Sequence, residues 1–202
     1  MSETYPTKFC NQPSELPNKI DQTRLRQQGY RVLAGLDIDL AQQLIESSLE
    51  DHIVTNCPKD AAERFTSIES IDTWLGKGRL VLPLVKDTGY GNLKLAGLGW
   101  IGPAKPAANE VTLPGAELTF GLRLYDEALG KKLSFPYALA VLATNKTLYS
   151  NKGVWLTTRS DNIPAIKTYE RAGFVKAAEV QAEYDGISRS KLYMMLGKWA
   201  LA

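Results

Sequence analysis

Hydrophobic positions along the chain change period several times, and each change marks a predicted element. "GYRVLAGL", from Gly29 to Leu36, reads as a first strand. "DIDLAQQLIESSLEDHI" follows, with Ile38, Leu40 or Ala41, Leu44, Ile45 and Leu49 at the spacing of an amphipathic helix. A second helix is predicted from Asp60 to Leu75, with Ala61, Phe65, Ile68, Ile71 and Leu75 inward and Gly76 and Gly78 ending it. Then the period shortens to two. "RLVLPLVK" (Arg79 to Lys86) and "LKLAGLGWIG" (Leu93 to Gly102) flank the turn-rich "DTGYGN" and read as a hairpin, with Pro83 marking an edge or a bulge. "AELTFGLRLY" alternates Leu118, Phe120, Leu122 and Leu124 against Glu117, Thr119, Gly121 and Arg123. "GKKLSFPYALAVLATN" is a turn feeding an apolar helix, with Pro136 tolerable in its first turn. "GVWLTT" (Gly153 to Thr158) has the pattern of a buried strand, and a short helix follows it. Strands near Phe174 to Tyr184 and Ser190 to Leu196 close the chain around a turn at Asp185 and Gly186.

This order predicts an α/β (α+β) domain, a mixed sheet with helices on both faces. Residues 1–28 are polar, hold Pro6, Pro13 and Pro17, and show no sustained periodicity. That pattern predicts a mobile N-terminal arm, docked at most in part, before a single domain over 29–202. Composition adds bounds. A chain of 202 residues with 44% apolar and 23% charged residues suits one globular domain. A net charge of +2 argues for neither a nucleic-acid nor a membrane partner. Cys10 and Cys57 make no disulfide framework or thiolate metal site. No apolar run is long enough to span a bilayer and the first residues lack a signal-peptide core, so a cytoplasmic protein without a metal is expected.

Two stretches could carry chemistry. In "RSDNIPAIKTYERAGF", Asn162 or Asp161 can cap a helix, Pro164 fits its first turn, and Gly173 can end it. Ile163, Ile166, Tyr169 and Ala172 share one face, which turns a tyrosine inward. The other stretch is the strand, turn and helix from Glu117 to Asn145. A helix N-terminus there exposes unpaired N–H groups, Gly130 allows close backbone approach, and Lys131 and Lys132 add charge, a combination suited to phosphate. It is neither a Walker A loop nor a dinucleotide fingerprint, because the required glycines are missing. Taken one by one, these residues also fit plainer roles: Tyr169 as core, Asn162 as a cap, Glu117 as a solvated carboxylate, His52 as a surface histidine. Trp74, Trp100, Trp155 and Trp199 are scattered along the chain and read as packing.

Together, the glycine turn and the later Asn162, Ala165, Ile166, Tyr169, Glu170, Gly173 and Phe174 resemble the GNAT family of acetyl-CoA-dependent N-acetyltransferases. The similarity runs from about Leu93 to Leu196. In "EALGKKLS", Glu127 stands where that family has a basic or amide residue, and Lys132 where it has a second small one. The resemblance implies a mixed, mostly antiparallel sheet and acetyl transfer from acetyl-CoA to a primary amine by direct attack. It implies that the backbone at Leu122 and Leu124 holds the pantetheine arm and that the turn of Leu129, Gly130, Lys131, Lys132, Leu133 and Ser134 holds the pyrophosphate. Asn162 would contact the cofactor near its thiol, Tyr169 would protonate the leaving thiolate, and Glu117 is the carboxylate placed to take the amine's proton. Partners would be the amine acceptor, with a homodimer left open as the assembly. Two other readings stay open: a non-catalytic acyl-CoA-binding module, and an unrelated α/β domain binding a nucleotide at the Gly130 turn.

Overall fold

The structure is a computed structural model and describes residues 9–10, 12–89, 91–107, 109–149, 152–184 and 187–197. In chain order its elements begin with β1 (Ser14–Glu15), α1 (Thr23–Arg26), β2 (Tyr30–Ala34), α2 (Ile38–Ser47) and α3 (Asp51–Asn56). A π-helical turn (Asp60–Arg64), α4 (Ile68–Leu75), β3 (Leu80–Asp87), β4 (Leu93–Pro103) and β5 (Leu118–Leu124) follow. A 3-10 turn (Asp126–Ala128), α5 (Ser134–Leu148), β6 (Val154–Arg159), α6 (Ile163–Arg171), β7 (Phe174–Tyr184) and β8 (Ile187–Leu196) complete it. The turn expected at Asp185 and Gly186 lies outside the described residues. Among the described residues, no helix is long and apolar enough to cross a membrane.

The strands form one sheet in the order β1-β2-β3-β4-β5-β6-β8-β7. Every described pairing is antiparallel except β5 with β6. The expected mixed, mostly antiparallel sheet is therefore present. Pro83 falls inside β3, beside a register shift between Leu84 and Val85, as a residue without an N–H requires. Two apolar layers cover the sheet. One joins Leu82, Phe120, Tyr137, Val141, Tyr169 and Phe174 beneath α1, α5 and α6. The other joins Leu40, Leu44, Ile71, Trp74, Leu98 and Trp100 beneath α2, α3 and α4.

Two expectations need correction. Polarity and prolines predict that residues 1–28 form a mobile arm, yet Leu16, Ile20 and Leu25 are buried in the first core layer. Ser14 pairs with Ala34 across β1 and β2, and the buried Gln22 side chain accepts from the Val32 N–H at 2.6 Å. A few apolar residues without a period, each filling a notch at the sheet's edge, leave no sequence signal. The helices predicted over 37–53 and 60–75 are also both broken. Ser48 Oγ donates back to the Ile45 carbonyl at 2.7 Å and the chain restarts as α3. In the second stretch Ser67 and Ser70 form a reciprocal capping box, which starts α4 afresh and leaves Asp60–Arg64 as a separate π-helical turn.

Candidate active site

The parallel pair at the centre of the sheet barely pairs at all. β5 and β6 are in register only at Leu118 with Val154 and Thr119 with Trp155, so beyond those residues the strands diverge. A wedge opens through the sheet. On its β5 side the carbonyls of Leu122 and Leu124 face away from β4. Leu122 accepts from Arg123 Nη1 at 3.0 Å, and Leu124 is hydrogen-bonded to His52 Nε2 at 2.9 Å. On its β6 side Arg159 Nη1 donates to the Thr55 carbonyl at 3.0 Å. Through His52 and Thr55, α3 is tied to both arms of the wedge.

A cavity of about 240 Å³ occupies the wedge. Tyr169 reaches it from α6 on one face of the sheet, edge-on to Phe120 with ring centroids 6.0 Å apart. Burial pushes the Tyr169 hydroxyl up to about 12, with the Arg123 charge pulling the other way. The opposite wall comes from the other face, where Arg64, Arg79, Arg123, Trp74 and Trp100 converge. Trp74 stands edge-on to Trp100 at 5.3 Å, and the Arg79 and Arg123 guanidiniums lie 4.9 Å above the Trp74 and Trp100 rings. Trp100 lies flat over Gly121, where an added Cβ would stand 2.0 Å from the ring, so that strand position must be glycine. Asp60, 1% exposed, binds Arg123 at 2.7 Å and Arg64 at 2.8 Å. Burial alone would lower the Arg123 pKa, but the adjacent Asp60 raises it, so the guanidinium is a fixed charge.

Next to the open end of β5 lies the turn into α5. Gly130 has φ +73 with open space around its Cβ position, and Lys132 has φ +58, leading into Leu133 in the right-handed helical region. Such alternation turns successive N–H groups toward one concavity. No side chain caps α5, so its first N–H groups stay available to an anion. Ser134 Oγ lies 3.2 Å from Thr168 Oγ1, which joins this turn to the helix that carries Tyr169.

No protein-family model matches the chain, and no curated protein matches it. Solved structures do. A spermidine N-acetyltransferase from Vibrio cholerae, in complex with CoA and spermine, aligns over 83% of this chain and 95% of its own, with a TM-score of 0.66 at 16% identity. An acetyltransferase of the GNAT family from Bacillus anthracis aligns over 82% and 93%, with a TM-score of 0.59 at 13% identity. The chain has the GNAT fold. An uncharacterized protein from Bacillus halodurans aligns over still more of this chain, 95%, and 93% of its own, at a TM-score of 0.68 and 14% identity.

Within the GNAT fold the residues singled out in the sequence separate into two groups. Tyr169 lines the cavity, Leu122 and Leu124 lie on β5, and the turn from Leu129 to Ser134 is joined to the helix of Tyr169 through Ser134 and Thr168. Asn162 caps α6, accepting from the Ala165 N–H at 3.4 Å. Glu117 stands apart: it is exposed before the paired end of β5, where its carboxylate accepts from the Gly153 N–H at 3.4 Å, and it does not line the cavity. Lys131 turns toward β2. It donates to Tyr30 Oη at 2.7 Å and to the Glu127 carbonyl and carboxylate. Hydrogen bonds from Lys86 and then Lys131 pull the Glu127 carboxyl down to about 2, so this acid ties the turn to β2 and β3. Sequence reasoning missed Arg64, Arg79, Arg123 and Asp60. Only Arg123 carried a signal, a charge in the middle of a predicted central strand. Trp74, Trp100 and Trp155, scattered in sequence, line one cavity, while Trp199 lies outside the described residues. Glu50, His52 and Asp126 also bring ligand-type atoms within 4.8 Å of one another.

Proposed function

We propose that the protein transfers an acetyl group from acetyl-CoA to the primary amine of a small acceptor by direct attack. One observation carries this reading: the β5–β6 divergence opens a cavity through the sheet, with Tyr169 on one side and the uncapped turn into α5 at its end. The residues fit the cosubstrate. Space at Gly130 and free N–H groups at α5 suit a pyrophosphate, with Lys132 as the nearby charge. The Leu122 and Leu124 carbonyls suit the amides of a pantetheine arm, since a carbonyl already holding one donor has a second lone pair.

In the transfer, the amine nitrogen bonds to the thioester carbon, the carbon–sulfur bond breaks, and sulfur leaves with its electron pair. Tyr169, neutral at pH 7, supplies the proton that the thiolate takes, and its phenolate recovers one from the nitrogen, which holds a surplus proton once its new bond has formed. The attacking amine must be uncharged, although an ordinary amine with a pKa near 10 is protonated at pH 7. Burial beside Phe120 and Tyr169, with Arg123 on the opposite wall, disfavours the ammonium form and so lowers the pKa of an amine held there. Its proton can then leave to water, without a role for Glu117. Holding both substrates in one cavity contributes by orientation.

The test is a pair of measurements on the whole chain. Acetyl-CoA should raise Tm, since binding at a hundredfold excess over Kd adds about 2.7 kcal/mol. Free thiol should then appear when a suitable amine is added. Stabilisation by CoA with no thiol release from any amine would leave an acyl-CoA-binding module. Stabilisation by ATP alone would point to a nucleotide site.

A further inference from the structure

The acceptor side of the cavity has an unusual charge for a site that would receive an amine. Arg64, Arg79 and Arg123 face it, with Lys105 at the rim. Asp60 is shared between Arg64 and Arg123. Among the described residues Arg79 meets no carboxylate: its Nη1 donates to the Trp74 carbonyl at 2.8 Å and its buried Nε has no partner. Burial, and then the charge of Arg64, push the Arg79 pKa down, which is the signature of a cation lacking its counter-ion. A cation that lines a cavity with no carboxylate beside it calls for a counter-ion, and an anionic ligand supplies one. The groove outside shares Arg64 and Arg79 with the cavity and adds Lys59, Lys77, Glu63 and Glu69, whose charges offset one another, so the positive excess of both comes from the same arginines.

Resting on the acetyl-transfer reading, we propose that the acceptor is an amine that also carries an anionic group, a carboxylate or a phosphate. Arg79 and Arg64 hold the anion, Trp74 and Trp100 form an apolar wall, and the amine is left toward Tyr169. A volume of about 240 Å³ lies below the roughly 300–1,000 Å³ of drug-sized sites and suits a molecule of amino-acid size. The same wall repels a polyamine, whose every nitrogen is cationic at pH 7. Spermine is therefore a ligand of the Vibrio cholerae protein that this cavity should refuse.

Three tryptophans line the cavity, so their fluorescence reports binding without turnover. The CoA-loaded protein is titrated at fixed ionic strength with matched amines: phenylalanine against phenethylamine, phosphoethanolamine against ethanolamine, and spermidine. In at least one pair the member with the anionic group should bind about tenfold or more tightly than the match without it, the scale of a charge-assisted hydrogen bond. The pair that shows the gap tells carboxylate from phosphate. Arg79→Gln should close the gap and Arg79→Lys should restore part of it, while the Tm rise with CoA, a check on folding, stays the same in both. Equal binding within both pairs, tightest binding of spermidine, no binding of either anionic amine at millimolar concentration, or a gap that survives in a folded Arg79→Gln would overturn the proposal. Thiol release separates the two readings. Arg79-dependent binding without release would sink acetyl transfer but keep the anion site, whereas release with spermidine preferred would do the reverse.

Discussion

At the wedge, the Tyr169 ring is held by Phe120 and Phe174, each 6.0 Å away, and its hydroxyl is the part to which the proposed transfer gives a task. Tyr169→Phe removes that hydroxyl and keeps the ring contacts. Stability should change by about 1 kcal/mol or less, as for one modest hydrogen bond, and CoA should still raise Tm. Turnover should fall by roughly 10² or more, the lower range for a positioned acid. Full kcat in the variant would return Tyr169 to packing alone. The same residue makes stability depend on pH. Its pKa rises from 10.0 to about 12 on folding, so the stabilisation from keeping it neutral is complete below pH 10 and is lost as pH climbs through 12. Tyr169→Phe has no such group, so across that window the wild type should lose stability that the variant keeps, and its alkaline unfolding curve should fall below the variant's. Tyr169 was legible because its inward face follows from helical spacing within one short segment.

The π-helical turn at Asp60–Arg64 shows what an element can do beyond its own hydrogen bonds. It buries one carboxylate between two guanidiniums, one from its own end and one from the middle of β5. Asp60→Ala would leave Arg123 charged and nearly buried without its counter-ion. The expected loss is about 3–5 kcal/mol, measured by urea denaturation. An almost unchanged midpoint would mean that water or another acid replaces Asp60. Helical spacing over 60–75 concealed this turn, because Phe65, Ile68 and Ile71 fit one continuous helix as well as two pieces. The break depends on Ser67 and Ser70 capping each other, a local competition that apolar periodicity does not register.

Across the whole molecule, the N-terminal segment closes the layer beneath the sheet. Leu16, Ile20 and Leu25 are at most 4% exposed. Burying each such side chain is worth roughly 1.5–3 kcal/mol, a large share of the roughly 5–15 kcal/mol that holds a domain together. Deleting residues 1–28 should therefore lower Tm by about 10 °C or more, at roughly 2–4 °C per kcal/mol for a chain of this size. A thermal melt unchanged by the deletion would restore the picture of a dispensable arm. The segment's polar average hides its function, since a few buried side chains are enough to make it part of the core.

Period, caps and turn residues act between near neighbours, so the sequence alone determined the strands around Pro83 and Gly121, the glycine turn into α5, and the cap-to-glycine helix from Asn162 to Gly173. These local signals were enough for the fold and for Tyr169. What surrounds Tyr169 depends on residues far apart in the chain: Asp60 meets Arg123 across 63 positions, and His52 meets the Leu124 carbonyl across 72. Nothing in a neighbouring residue requires such a pairing. It exists because β5 and β6 part after Thr119 and Trp155, which lets side chains from both faces of the sheet share one cavity. Only the tertiary structure could decide that the cavity is cationic.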